Sequence, residues 1–156
     1  MFARSIPGFD DLNLAHMVMD YNGTIACDGE LLDHVRELVE ILSTSFTIHV
    51  VTADTFGKAK SSLDGLPVTL SVLGTDRQDE QKLEYIQTLG PDSCVCIGNG
   101  RNDALMLERA KIGIALLQAE GAAVSSINCA DIVCADIRSA LELFIRPKRL
   151  VATLRS

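Results

Sequence analysis

Asp20 follows the apolar run His16 to Met19 and precedes Tyr21-Asn22-Gly23-Thr24. Such a run reads as a strand, so the carboxylate stands at a strand's carboxyl end, just before a Gly-Thr turn. Ligands of open parallel sheets bind at that end. An aspartate there can attack phosphorus as a nucleophile and offer its second oxygen to a metal. Taken alone, the residue reads rather as a turn or helix-cap acid.

Other predicted strand ends carry matching groups. Val50-Val51-Thr52-Ala53-Asp54 ends a strand in a hydroxyl that could donate to a phosphoryl oxygen or cap the helix that follows. Lys82, in Asp79-Glu80-Gln81-Lys82-Leu83, reads by itself as an exposed first-turn lysine. Facing a nucleophilic carboxylate, the same cation would offset charge building on a transferring phosphoryl group. Cys96-Ile97-Gly98-Asn99-Gly100-Arg101-Asn102-Asp103-Ala104 runs from strand through a glycine turn into a helix. Glycines 98 and 100 permit close backbone approach, while Asn99 and Asp103 offer oxygens to a hard cation such as Mg²⁺.

These ends need a scaffold, and the chain supplies one. Short β-branched runs alternate with segments of helical period, the rhythm of a three-layer α/β/α, Rossmann-like parallel sheet. Strands are expected at His16 to Met19, Thr47 to Val51, Val68 to Leu73, Cys94 to Ile97, Ile112 to Leu116 and Asp131 to Cys134. Helices are expected at Leu31 to Leu42, Glu80 to Leu89, Asp103 to Ala110, Ala122 to Ile127 and Ile137 to Phe144. A hairpin or edge strand around Pro7-Gly8 should lead, and a helix from Pro147 to Leu154 should close the chain.

With 156 residues and 47% apolar content, one domain is expected. A net charge of -7 argues against nucleic acid as a partner, since phosphate-backbone affinity comes from Lys and Arg. No apolar run approaches the ~20 residues of a membrane span and no signal-type start is present, so a cytoplasmic, membrane-free protein is expected. Five dispersed cysteines without a Cys-x-x-Cys suit reduced thiols, and Cys94 and Cys96 should share one strand face. Three scattered histidines compose no triad or zinc site.

Asp20-x-Asn22-Gly23-Thr24, Thr52-Ala53-Asp54, Lys82 and Gly98-Asn99-Gly100-Arg101-Asn102-Asp103, in that order, resemble the haloacid dehalogenase superfamily of aspartate-nucleophile phosphohydrolases. Within it the likeness is closest to the phosphorylation domain of P-type ATPases and to the small soluble proteins related to it, whose C-terminal ending Lys148 to Arg155 also resembles. The resemblance implies that Asp20 accepts the phosphoryl group, with catalytic roles for Asn22, Thr52 and Lys82. Phosphate would be held by Asp20, Gly23, Thr52, Ala53, Lys82 and Asn102. Mg²⁺ would be bound by Asp20, the backbone carbonyl of Asn22, Asn99 and Asp103. Residues 24–30 would form a small flap over the site.

Two departures from that pattern matter. Asn22 stands where related phosphatases carry the acid that protonates the leaving group, so dephosphorylation should be slow. Asn99 replaces a metal-ligating Asp, so Mg²⁺ should bind weakly unless Asp54 or Asp103 compensates. The intervals from Asp20 to Thr52 and from Thr52 to Lys82, 32 and 30 residues, leave no room for a cap domain. A small phosphorylated substrate or nucleotide is expected, and a homo-oligomer could roof the open site. The rival expectation is a weakened protein that binds Mg²⁺, phosphate or a protein partner as a regulator. A response-regulator receiver fits less well, because its acceptor sits on the third strand and Asp20 ends the first.

Overall fold

A computed structural model describes residues 1–53 and 57–156. A hairpin of β1 (Phe2–Ile6) and β2 (Asp10–Leu14) leads into β3 (His16–Met19). Then come a two-stranded flap, β4 (Ala26–Cys27) and β5 (Glu30–Leu31), α1 (Val35–Leu42), β6 (Thr47–Thr52), α2 (Lys58–Ser62) and β7 (Val68–Val72). The second half runs through α3 (Gln78–Leu89), β8 (Cys94–Gly98), α4 (Ala104–Arg109), β9 (Ile112–Leu116), α5 (Val124–Cys129), β10 (Ile132–Cys134), α6 (Ile137–Ile145) and α7 (Pro147–Leu154).

Six strands form one parallel sheet in the order β10-β9-β8-β3-β6-β7. Alternation along each central strand sends side chains to two different cores. Met17, Met19, Ile48, Val50, Val95 and Ile97 meet residues of α1, α6 and the leading hairpin on one face. Val18, Val51, Cys94 and Cys96 meet Ile86 of α3 and Met106 and Leu107 of α4 on the other. The result is the expected α/β/α sandwich, with Cys94 and Cys96 on one face as anticipated. All five cysteines are free thiols, and burial pushes Cys94 up to about 11 and Cys96 well above the ordinary thiol value. Phe2 of the hairpin packs against Phe46 and Phe144 at 5.7 and 5.4 Å between ring centroids, which fixes the hairpin to the sandwich.

Two expectations are corrected. The segment expected to be helical from Leu31 starts its helix only at Val35, because His34 adopts a left-handed φ of 66° and Leu31 is a flap strand residue paired with Ala26. Leu31 and Leu32 still pack on the core, which is why their spacing imitated a helix face. Helix α3 begins at Gln78, two residues earlier than expected, so Lys82 lies on its second turn and is 1% exposed rather than a first-turn surface lysine. The helix that follows Thr52 is the short α2. No helix among the described residues is long and apolar enough to cross a membrane.

Candidate functional site

The chain moves outward from β3 through β6 to β7, then returns to β8 on the other side of β3 and moves outward again. That reversal opens a crevice beyond the carboxyl ends of β3 and β8, where sheets of this kind bind ligands. Met19 is registered with Ile97, and Asp20 N donates to Ile97 O at 3.1 Å, so Asp20 comes level with Gly98 at the crevice.

Lys82 reaches into the crevice from α3. Its Nζ donates to Asp20 Oδ1 at 2.7 Å and to Asp103 Oδ1 at 2.6 Å. All three groups are buried. Burial alone would lower the ammonium's pKa, but the carboxylates of Asp103 and Asp20 outweigh it and hold Lys82 above the ordinary lysine range. Asp20 is pushed up to about 7, first by burial and then by the Asp103 charge, with Lys82 pulling the other way. Two carboxylates against one ammonium leave the pocket with an uncompensated negative charge.

Asp103 is fixed by the glycine turn that precedes it. Its Oδ2 accepts from the backbone N–H groups of Asn99 at 2.9 Å and Gly100 at 2.8 Å. A Cβ at Gly98 would lie 2.5 Å from Asp103 Cγ, so only glycine lets the strand pass so near the carboxylate. Asn99 is held by its own partners: Nδ2 donates to Gly121 O at 2.9 Å and its carbonyl accepts from Ala123 N at 2.8 Å. With the amide nitrogen engaged, Oδ1 is the oxygen left to a ligand.

The turn after Asp20 is folded by Tyr21, whose carbonyl accepts from Ile25 N and Ala26 N, both at 3.0 Å. Gly23 has φ of 79°, and a Cβ there would lie 2.4 Å from Asn99 Nδ2 and 2.5 Å from Glu120 Oε2. The turn therefore presses directly on the Asn99 side chain. The flap folds back over this turn through Asp28 and Gly29, both at positive φ as a two-residue hairpin loop requires. Asn22 Oδ1 accepts from Gly29 N at 3.2 Å and Tyr21 OH donates to Gly29 O at 2.9 Å. The side chain two residues beyond Asp20 is thus engaged in holding the flap. Beside it lies a cavity of about 480 Å³ lined by Asn22, Asp28, Gly29, Lys58 and Glu120.

Thr52 is buried at the end of β6, where its carbonyl accepts from Leu73 N at 2.8 Å, and half-buried Ala53 follows it. Asp54, the acid considered as compensation for Asn99, lies outside the described residues. Asn102 Nδ2 donates to Gln78 Oε1 at 2.7 Å, tying the glycine turn to the start of α3. The structure brings Asp20, Lys82, Asn99 and Asp103 to one crevice, with Asn22 and Gly23 at its mouth.

Gln118 was missed by the sequence reading. Its Nε2 donates to Gly23 O at 2.9 Å and Thr24 O at 2.8 Å, while its Oε1 accepts from Ile137 N at 2.8 Å. It clamps the turn after Asp20 from the loop after β9. The rule that singled out Asp20, Thr52 and Asn99, a polar residue just past a strand's carboxyl end, applies to Gln118 as well.

No family model matches the chain. An uncharacterized protein of Methanocaldococcus jannaschii is 42% identical over 74 residues, 47% of this chain and 80% of that protein. The catalytic domain of the CPx-ATPase CopB-B superposes with a TM-score of 0.60 at 26% identity, over 73% of this chain and 45% of that one. The cobalt-bound deoxy-D-mannose-octulosonate 8-phosphate phosphatase of Haemophilus influenzae superposes with a TM-score of 0.71 at 12% identity, covering 92% of this chain and 94% of that one. The chain shares the fold of haloacid dehalogenase superfamily hydrolases. A further member of this superfamily's fold, the phosphatase of the same substrate from Moraxella catarrhalis, was solved with magnesium, phosphate and KDO. It gives a TM-score of 0.68 at 15% identity, over 92% of this chain and 94% of that one. Between β3 and α1 of this fold stands the short flap of β4 and β5.

Proposed function

We propose that this protein is a Mg²⁺-dependent phosphohydrolase that acts through an aspartyl phosphate on Asp20, on a small phosphate ester or nucleotide, and that it releases phosphate slowly. The observation that carries the proposal is Lys82, buried with its ammonium between Asp20 and Asp103. A lysine so confined serves no surface role, and it stands where charge would accumulate on a transferring phosphoryl group. The likeness to metal-bound phosphatases and to an ATPase catalytic domain supports the same reading.

The donor set suits Mg²⁺. Asp20, Asp103, the Asn99 amide oxygen and the Asn22 backbone carbonyl are hard oxygen donors, and the pocket's excess negative charge calls for a cation. Bound there, the metal would supply Lewis-acid screening between the anionic nucleophile and the anionic phosphate.

A carboxylate oxygen of Asp20 attacks phosphorus, the bond from phosphorus to the ester oxygen breaks, and the leaving oxygen takes its proton from water. Lys82 donates to the phosphoryl oxygens as negative charge moves onto them, assisted by the Thr52 hydroxyl. Water then attacks phosphorus of the aspartyl phosphate, releasing inorganic phosphate and restoring the carboxylate. Asn22 has no proton to exchange in either half. General acid-base assistance contributes ~10² to 10⁴ in rate, so its absence leaves a phosphoenzyme that persists.

The test is intact-protein mass spectrometry after incubation with Mg²⁺ and acetyl phosphate, para-nitrophenyl phosphate or ATP, with phosphate release followed in parallel. A phosphoryl adduct in the wild type that is missing from Asp20→Asn supports the proposal. Asn22→Asp should shorten the adduct's lifetime and speed release. Neither adduct nor turnover with any donor would move the assignment to a regulator that only binds Mg²⁺ or phosphate.

A further inference from the structure

A large groove lies away from Asp20. It has a volume of about 850 Å³ and runs between β1 and α7, lined by Arg4, Arg146, Lys148, Arg149 and Arg155 around Val151 and its apolar neighbours. The hairpin that carries Arg4 precedes β3, and Ala15 N donates to Ser93 O just before β8, so the groove lies toward the amino ends of the strands. Asp20 stands at the carboxyl ends. The basic segment Lys148 to Arg155, singled out in the sequence, is given no part in the phosphoryl chemistry by this position.

Charge is concentrated in the groove. Five of the chain's 14 Lys and Arg line it, which leaves nine to set against 21 Asp and Glu elsewhere. Arg149 pairs with Glu142 at 2.6 Å. Arg4, Arg146, Lys148 and Arg155 have no ion pair with any described residue, and no acid lines the groove. Arg146, Lys148 and Arg149 also crowd the amino end of α7, where the helix dipole disfavours cations. Folding does not call for that placement; an anionic partner would.

We propose that this groove docks an acidic, partly apolar segment of a partner protein. Val151, Pro147 and Ala152 give apolar side chains of the segment a surface, and the four unpaired cations around it would meet the segment's own carboxylates. A long polyanion or an anionic membrane would also meet the acid-rich remainder of the surface and be repelled. A short segment touches the groove alone. Because every lining cation is exposed, none forms the desolvated pocket that would select a free inorganic anion.

Fluorescence anisotropy with a short labelled peptide of Glu and Leu tests this on the full chain. Its Lys and Leu counterpart, a single-stranded oligonucleotide and phosphatidylserine vesicles serve as competitors. The acidic peptide should bind, weaken as salt rises, and lose about tenfold or more in affinity to Arg4→Glu/Arg155→Glu. The same variant should gain affinity for the Lys and Leu peptide, which an unfolded chain would not do specifically. Arg4→Gln, confined to the hairpin, should weaken acidic-peptide binding with α7 untouched, and Asp20→Asn should leave it unchanged. Equal affinity in the charge-reversed variant, no peptide binding, or tighter binding of the oligonucleotide or vesicles would overturn the proposal.

Discussion

Lys82 Nζ lies 2.7 Å from Asp20 Oδ1 across 62 residues of sequence, and the same nitrogen lies 2.6 Å from Asp103 Oδ1. Among the described residues, the lysine is the only cation between these two buried carboxylates, so removing it leaves both without their cationic partner. Loss of one member of a buried charge cluster costs about 3 to 5 kcal/mol. Lys82→Met should lower the unfolding free energy by about 3 kcal/mol in urea titrations. Adding Asp20→Asn should recover part of that loss, because one stranded charge disappears with it. Additive losses in the double variant would show that the three groups are not coupled.

Asn99 calls for a second experiment, because its amide has two faces. Asn99→Asp supplies the charge expected of a metal ligand, so Mg²⁺ should bind about tenfold more tightly by calorimetric titration. The substitution also removes the donor to Gly121 O and sets two acceptors against each other. That should cost about 1 to 3 kcal/mol in metal-free protein, with Mg²⁺ restoring stability. Equal or poorer affinity in the variant would refute this role for the residue.

Much of this arrangement was legible because local pattern and global fold agree. His16–Met19 and Ile112–Leu116 form strands over the expected residues, since apolar runs flanked by turn residues have few alternatives in a buried parallel sheet. The early helix was misread for an equally physical reason: Leu31 and Leu32 pack on the core from a flap, and burial rather than helicity set their spacing. Lys82 was legible as a candidate but not as a buried residue, because nothing in Gln81-Lys82-Leu83 encodes two acids 62 residues before and 21 after it. Hydrogen bonds made by Gln118 were beyond reach for the same reason: they join positions 94 and 95 residues apart.

Gln118 should control the flap rather than the fold. Its three hydrogen bonds join the turn after Asp20 to the amino end of α6. Gln118→Ala frees two backbone carbonyls in the turn while leaving both hydrophobic cores intact. Hydrogen exchange should speed up in peptides covering residues 21–32 and stay unchanged in β8 and β9. Uniform acceleration throughout the sheet would mean that the residue supports global stability instead.

Parallel pairing of β3 with β6 brings two of the three histidines together beneath α3. His16 Nδ1 lies 3.1 Å from His49 Nε2, and His49 Nδ1 lies 2.9 Å from Tyr85 OH. Burial first, and then the neighbouring His16, hold His49 down at about 4. An unfolded histidine titrates near ~6.5, so between these values the unfolded chain binds a proton that the folded protein refuses. Stability should therefore fall as pH drops from about 6.5 toward 4, by about 2 kcal/mol at pH 5, and this contribution should level off below 4. His49→Gln removes the titrating group and keeps a polar side chain beside Tyr85. In urea titrations at pH 7 and pH 5, the variant should be the less stable protein at pH 7 but show the smaller loss on acidification. Parallel losses in the two proteins would place the acid sensitivity elsewhere.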